Sequence, residues 1–129
     1  SIRKVACCGR QSEQMIELAG ADAAEGCIIL VSWNPTSTAE KAKAYTEKFQ
    51  AKYDALPDER EAYAYEVPYI IKQAIEAGAT KETLPEVLHG LTYEGATGIT
   101  KFDDVGDVKD KIGAVLMVQD GVFVEWDGK

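Results

Sequence analysis

Histidine, cysteine and long apolar runs are what this chain is short of, and each shortage closes off a class of function. There is one histidine, His89, and there are three cysteines, Cys7, Cys8 and Cys27. None of them stands in a CxxC or Cys/His arrangement with metal-ligand spacing, so no metal is expected. The cysteine number is odd, and the adjacent Cys7 and Cys8 could pair with each other only under strain. Buried thiols are the simplest reading, with a Cys8–Cys27 disulfide or a reactive thiol as alternatives. No apolar run approaches the ~18–20 residues of a membrane helix. Basic residues are outnumbered 14 to 22, giving a net charge of −8. That surplus argues against nucleic acid and anionic membranes as partners, because both recruit basic patches. Gly95–Gly98 is too short for a phosphate loop and no helix signal follows it, so no cofactor is expected. No leader-like segment opens the chain, since Ser1–Lys4 leads straight into a short apolar run. The options are a cytoplasmic protein, removal of a leader, or a piece of something longer.

What is there suits one modest domain: 129 residues, 46% hydrophobic and 28% charged. Its centre is Gly26–Pro35. Five apolar residues, Cys27 to Val31, run unbroken between Gly26 and a polar turn. Such a run reads as a strand covered on both faces, placed mid-sheet in an α/β fold. The turn after it, Trp33-Asn34-Pro35, lies at the carboxyl end, where open α/β sheets bind ligands.

Before that strand, Lys4–Cys8 reads as a short buried strand and Gly9–Gln11 as a turn. Ser12 caps a helix from Glu13 to Ala19 with Met15, Ile16, Leu18 and Ala19 on its apolar face, and Gly20 stops it. Ala21–Gly26 is a connection. After Pro35, Ser37 and Glu40 form a capping box for a helix reaching Tyr53, with Ala42, Tyr45, Phe49 and Tyr53 as its buried stripe. Asp54–Arg60 reads as a polar loop. A second helix is expected from about Ala62 to Ala77, with Val67, Ile70, Ile71, Ala74 and Ile75 facing the core. Pro68 interrupts it, so the helix is either kinked near Ala64 or starts at Pro68, and a kinked or 3₁₀-started helix is the favoured form. Thr83 and Glu86 form another capping box, with Leu84, Val87, Leu88 and Leu91 facing inward. From Thr92 the chain turns to β: a strand at Gly98–Phe102, a turn at Asp103–Asp107, then a hairpin with Gly113–Gln119 and Val122–Trp126 joined by Asp120-Gly121. The carboxylates of Asp103–Asp107 surround a glycine but lack a calcium loop's length and closing Glu, so they read as a turn.

Two positions carry chemistry. Trp33 at the mouth of the central strand is either core or the wall of a ligand cleft, and Asn34 beside it offers both donors and an acceptor, though Asn-Pro is also an ordinary turn. Arg10 holds the equivalent place after the first strand, where it either clamps a ligand carboxylate bidentately or is simply solvated. An enzyme built on Cys8 and His89 ranks last, and the chain is read as not an enzyme.

A family resemblance joins these pieces. Glu17–Gly26, followed by an apolar strand, resembles the "lAGdaAeGv" segment of type 1 (Leu/Ile/Val-binding) periplasmic solute-binding proteins. Lys41–Tyr53 resembles the family's helix after the crossing, and Ala62–Glu76 its "AYDAvyllaqAie" helix. Gly90–Asp103 with Gly106-Asp107 resembles its "Ltf.GvtG.isFd..Gd" segment. Four matches in order and spacing cover nearly the whole chain, which itself matches only the C-terminal third of a complete two-lobed member.

The resemblance implies an α/β fold that is part of the type 1 periplasmic-binding-protein fold: a parallel sheet flanked by helices, with a C-terminal antiparallel hairpin. Residues 1–129 form a single α/β unit. Residues 1–32 and about 99–129 would come from lobe 2, and about 35–91 from lobe 1. It implies a segment of an extracytoplasmic receptor that captures a small molecule, an amino acid or similar carboxylate, for an ABC transporter permease. The location would be periplasmic or extracellular, in the cell envelope, with a lipid anchor on the full-length parent as an option. Cys8, Gly9, Arg10, Trp33 and Asn34 would border the cleft. On that reading Trp33→Ala and Arg10→Ala weaken ligand binding at nearly unchanged stability, whereas a large stability loss marks Trp33 as core. Strand edges and apolar helix stripes left without their family neighbours lead to an expectation of self-association. The competing reading is a self-associating α/β interaction or sensor module with no transport role.

Overall fold

The apolar run after Gly26 becomes strand β2, Ile28–Val31. It lies inside a four-stranded sheet of order β1-β2-β5-β6, where β1 is Val5–Cys7, β5 is Ala114–Gln119 and β6 is Val122–Glu125. The structure is a computed structural model and describes residues 4–7, 12–111 and 113–128. β1 runs parallel to β2, but β5 runs antiparallel to it. The sheet is therefore mixed rather than wholly parallel. The physical reason is the path of the chain, which leaves the sheet at the carboxyl end of β2 and re-enters at that same end.

Alternation along the strands sorts the sheet into two unlike faces. Ile29, Val31, Leu116 and Val118 are buried on one face. Met15 and Ile16 of helix α1 (Glu13–Ala19) and Ala24 of helix α2 (Ala21–Ala24) pack there with Phe123. Ser12 caps α1 as expected, its hydroxyl accepting from the Met15 amide at 3.2 Å. Leu18, read as part of that helix's apolar face, instead stands exposed. The opposite sheet face is open: Val5, Leu30 and Val122 are 65%, 49% and 57% exposed. So the reading of β2 as covered on both faces holds in part, with Ile28 buried and Leu30 exposed on this second face, and β1 is not buried, Val5 being exposed and Ala6 half-buried. The β5–β6 turn has Asp120 and Gly121 at φ 53° and 77°, the left-handed pair of a type I′ hairpin.

A helical unit fills the chain between β2 and β5. Helix α3 is Glu40–Tyr53, α4 is Glu59–Glu76 and α5 is Leu84–Gly90. Strands β3 (Thr92–Gly95) and β4 (Gly98–Lys101) form a separate hairpin. Several expected starts move. The Ser37–Glu40 box is absent: α3 begins at Glu40 behind Ala39, and the Ser37 hydroxyl accepts from the Ala39 amide in a local turn at 3.3 Å. Thr83 makes no side-chain cap to α5, because its hydroxyl accepts from the Thr80 amide at 2.9 Å. Helix α4 starts within the stretch read as a loop. Asp58 caps it reciprocally with Glu61, the two amide-to-carboxylate bonds measuring 3.0 and 2.8 Å. Pro68 lies inside this one helix.

The core side of α4 is the expected one only at Ala74 and, half-buried, at Ile70. Glu59, Ala62, Glu66 and Ala74 are buried, while Val67, Ile71 and Ile75 stand exposed. Of the α3 stripe, Ala42 and Tyr45 are buried, Phe49 is half-buried and Tyr53 is exposed. Of the residues read as facing inward around α5, Leu91 alone is buried, with Leu84, Val87 and Leu88 half-buried. The helical unit's core is instead Trp33, Ala42, Tyr45, Ala62 and Ala96, with Phe49 and Tyr63 against it.

Candidate functional site

The carboxyl ends of β1 and β2 meet at one edge of the sheet, Cys7 opposite Leu30 in register. Cys8, Gly9 and Arg10, which follow β1 in sequence, lie outside the described residues, as does any Cys8–Cys27 pairing; Cys27 has a free, half-buried thiol. After β2, the turn from Ser32 to Ser37 carries the chain over to the helical unit.

That turn is fastened at nearly every residue. The Ser32 amide and hydroxyl both donate to Glu59 Oε2, at 2.8 and 2.7 Å. The Ser32 carbonyl accepts from the Tyr63 hydroxyl at 3.2 Å. Trp33 Nε1 donates to the Ala96 carbonyl at 2.9 Å, and its ring meets Tyr45 edge-on at 5.8 Å. Asn34 Oδ1 accepts from both the amide and the hydroxyl of Thr36, each at 2.9 Å, an Asx turn that settles how Asn-Pro is bent. The Pro35 carbonyl accepts from the Thr46 hydroxyl at 3.2 Å.

Two cavities flank the turn. One of about 400 Å³ is lined by Trp33, Asn34, Ser37, Thr97, Ala114 and Glu125. Asn34 Nδ2 reaches toward Glu125 Oε2 across its floor at 3.5 Å. The other, about 260 Å³, lies between α1 and the turn and is lined by Ser12, Ile16, Asn34, Pro57 and Phe123. Trp33 thus has two aspects. Its indole is core, 5% exposed and hydrogen-bonded, and one edge lines the larger cavity.

A second polar group lies where the β3–β4 hairpin meets α4. Glu66 is 1% exposed. Its Oε1 accepts from the Thr97 amide at 2.7 Å, and its Oε2 from the Thr97 hydroxyl. The Lys111 ammonium donates to that same hydroxyl oxygen and stands 4.6 Å from the centre of the Tyr63 ring. Burial pulls Lys111 below its usual pKa, while Glu66 pulls it back up. Gly95 is required here, since a Cβ would collide with the Glu66 carboxylate and the Tyr93 ring.

Glu59, Tyr63, Glu66, Thr97, Lys111 and Glu125 were not found as site residues from sequence. One signal was available: Glu66 is a lone charge in the apolar stretch Ala62–Pro68. His89 is exposed in the last turn of α5. Asp103 Oδ1 accepts from the amides of Val105 and Asp107 at 3.0 and 2.9 Å, as a turn requires. No cluster of metal-ligating side chains occurs among the described residues.

The model of the family described as periplasmic binding protein matches residues 4–128. The fold is similar to the leucine-binding protein LivK of Thermotoga maritima, 28% identical, TM-score 0.81, over 95% of this chain and 35% of that one. It is also similar to LivJ of Streptococcus pneumoniae, a branched-chain amino acid transporter substrate-binding protein in complex with isoleucine. There the identity is 25% and the TM-score 0.80, over 92% of this chain and 34% of that one. An ABC transporter substrate-binding protein from Desulfitobacterium hafniense, in complex with Leu, shares the fold at 22% identity and TM-score 0.75, over 88% and 38%. The chain therefore spans about a third of the length of these solved relatives. No curated protein sequence matches it.

Two outcomes are expected from this geometry. Trp33→Ala should lower stability by about 3–5 kcal/mol in urea unfolding, as a buried aromatic truncation does, so unchanged stability is no longer the expectation. A loss under about 1 kcal/mol would contradict the core position. The second concerns alkali. Burial first, then the nearby Glu61 and Asp58 carboxylates, pushes the Tyr45 phenol up to about 12. The fold holds the neutral form above its ordinary 10.0, so this contribution is complete below pH 10 and fades between 10 and about 12. Tyr45→Phe should flatten the loss of stability over that window, measured as denaturation midpoint against pH.

Proposed function

The chain belongs to the periplasmic binding protein family, and from that premise we propose that it is a segment of a receptor that captures a small amino acid or related carboxylate for an ABC transporter permease. The family binds substrates rather than transforming them, and the fold is the α/β one of its type 1 members. The observation that carries the proposal is the edge where β1 and β2 end side by side in parallel, at the crossing into the helical unit. The Cys8–Arg10 loop and the Trp33–Asn34 turn border the cleft. Arg10 supplies the carboxylate clamp, Trp33 the wall and Asn34 the shape of the turn.

The sheet with α1 and α2 would be the lobe 2 part. The lobe 1 part would be α3 to α5 with the β3–β4 hairpin, because β4 pairs with β3 and not with the sheet. The boundary expected near residue 99 then moves to about 111. Capture is by closure about the crossings, without chemistry. The location is the periplasm or cell exterior. No helix among the described residues is long and apolar enough to cross a membrane.

The chain taken alone self-associates, through the open sheet face of Val5, Leu30 and Val122 and the exposed Val67, Ile71 and Ile75 of α4. Both supports are apolar surfaces that water would leave uncovered.

Titration calorimetry on the natural protein with leucine, isoleucine and valine checks the receptor reading. Saturable binding is expected, and Arg10→Ala should weaken it by roughly tenfold or more, the value of a charge-assisted hydrogen bond. Wild-type affinity in that variant removes the clamp, and no heat with any small carboxylate removes the function. Size-exclusion chromatography with light scattering checks the second point on the 129-residue chain. A mass above 14.1 kDa is expected at micromolar concentration, and a clean monomer overturns it.

A further inference from the structure

Both segments that cross between the sheet and the helical unit are held by one stripe of one helix. Glu59, Tyr63 and Glu66 stand at i, i+4 and i+7 of α4, and so on the same side of it. Glu59 takes the Ser32 amide and hydroxyl. Tyr63 donates to the Ser32 carbonyl and presents its ring to Lys111. Glu66 takes the Thr97 amide and hydroxyl, and that hydroxyl receives Lys111. Ser32 opens the outgoing crossing, and Lys111 lies on the returning one. The two carboxylates are 5% and 1% exposed.

Buried carboxylates hold their donors tightly, because letting go leaves a charge in a poorly solvated site. Glu59 is also the first residue of α4, where the helix dipole favours a negative charge. On the sheet side the outgoing crossing has a longer contact, from Asn34 Nδ2 to Glu125 Oε2 of β6 at 3.5 Å. The crossings there come into backbone contact: a Cβ on Gly113 would lie 2.6 Å from the Val31 carbonyl oxygen. Val31 and Ala114 are already paired in the sheet.

We propose that the Glu59–Tyr63–Glu66 stripe of α4 is the fixed side of the hinge. It makes Ser32–Pro35 and Lys111 move with the helical unit, and it confines bending to the junctions Val31–Ser32 and Gly113–Ala114. Gly113 is the residue that lets the two bending points lie against each other. The role assigned to the hinge, closing on a ligand, rests on the receptor reading; the location of the bend rests on the contacts alone. Tyr63 and the two glutamates are positioning residues, since none of them needs to touch a ligand.

The test is made on the natural protein without ligand, so it stands or falls separately from amino-acid binding. Native-state hydrogen exchange is read at the Ser32 and Thr97 amides, together with the distance distribution between spin labels at the exposed Lys72 and Gln119. In Glu59→Ala the Ser32 amide should exchange roughly tenfold faster or more, from the loss of a charged acceptor. The Thr97 amide and the α3 amides should keep their rates, and the label distribution should broaden. A structural role in folding alone would speed all of these amides together. Ser32→Ala with Tyr63→Phe, which removes two hydroxyls and keeps the buried charge, gives a milder form of the same pattern if Glu59→Ala does not fold. An unchanged label distribution with a freed Ser32 amide overturns the proposal, and so does a Ser32 amide that exchanges at the wild-type rate.

Discussion

A carboxylate that cannot reach water must be met by donors, and in this molecule the donors that meet Glu59 belong to the turn that leaves the sheet. Ser32 gives it an amide and a hydroxyl. The rest of the arrangement depends on that contact. With Ser32 held at the start of α4, Trp33 is carried into the pocket between α3 and the β3–β4 hairpin, where Tyr45 and Ala96 receive it. The Asx turn of Asn34 then points the chain into α3.

The second constraint is that the molecule holds together in two halves of unlike completeness. The helical unit closes around its own core. The sheet closes on one face under α1 and α2 and leaves the other face apolar and uncovered. Uncovered apolar surface of this kind is costly in water at about 25 cal/mol per Å². The chain spans about a third of its solved relatives, and among the described residues β1 is an edge strand of the sheet. Shape and exposure thus agree with the family to which the chain belongs.

Neighbouring residues at the crossing play different parts. Those at the turn that look chemically versatile, Trp33 and Asn34, have their polar atoms engaged: the indole N–H by Ala96, the amide oxygen by Thr36. Their contribution is shape. The charged residues that hold the two crossings, Glu59 and Glu66, lie on a helix and face inward, toward the Ser32 turn and the β3–β4 turn.

Sequence by itself determined the features whose cause is local. The β5–β6 hairpin followed from Asp120-Gly121 between apolar strands, the α1 cap from Ser12, the central strand from its unbroken apolar run, and the family from four short matches in order. The Asp58–Glu61 box was equally local and was passed over, because the stretch around Pro57 looked like a loop. Tertiary structure alone decided the antiparallel entry of β5, the exposure of Leu30 and Ile75, and the burial of Glu59 and Glu66. An apolar residue is buried only if something covers it, and a carboxylate only if donors arrive. The donors for Glu59 and Glu66 come from Ser32 and Thr97, 27 and 31 residues away. No periodicity within α4 carries that information, and its Glu59–Tyr63–Glu66 stripe meets both crossings only in the folded chain.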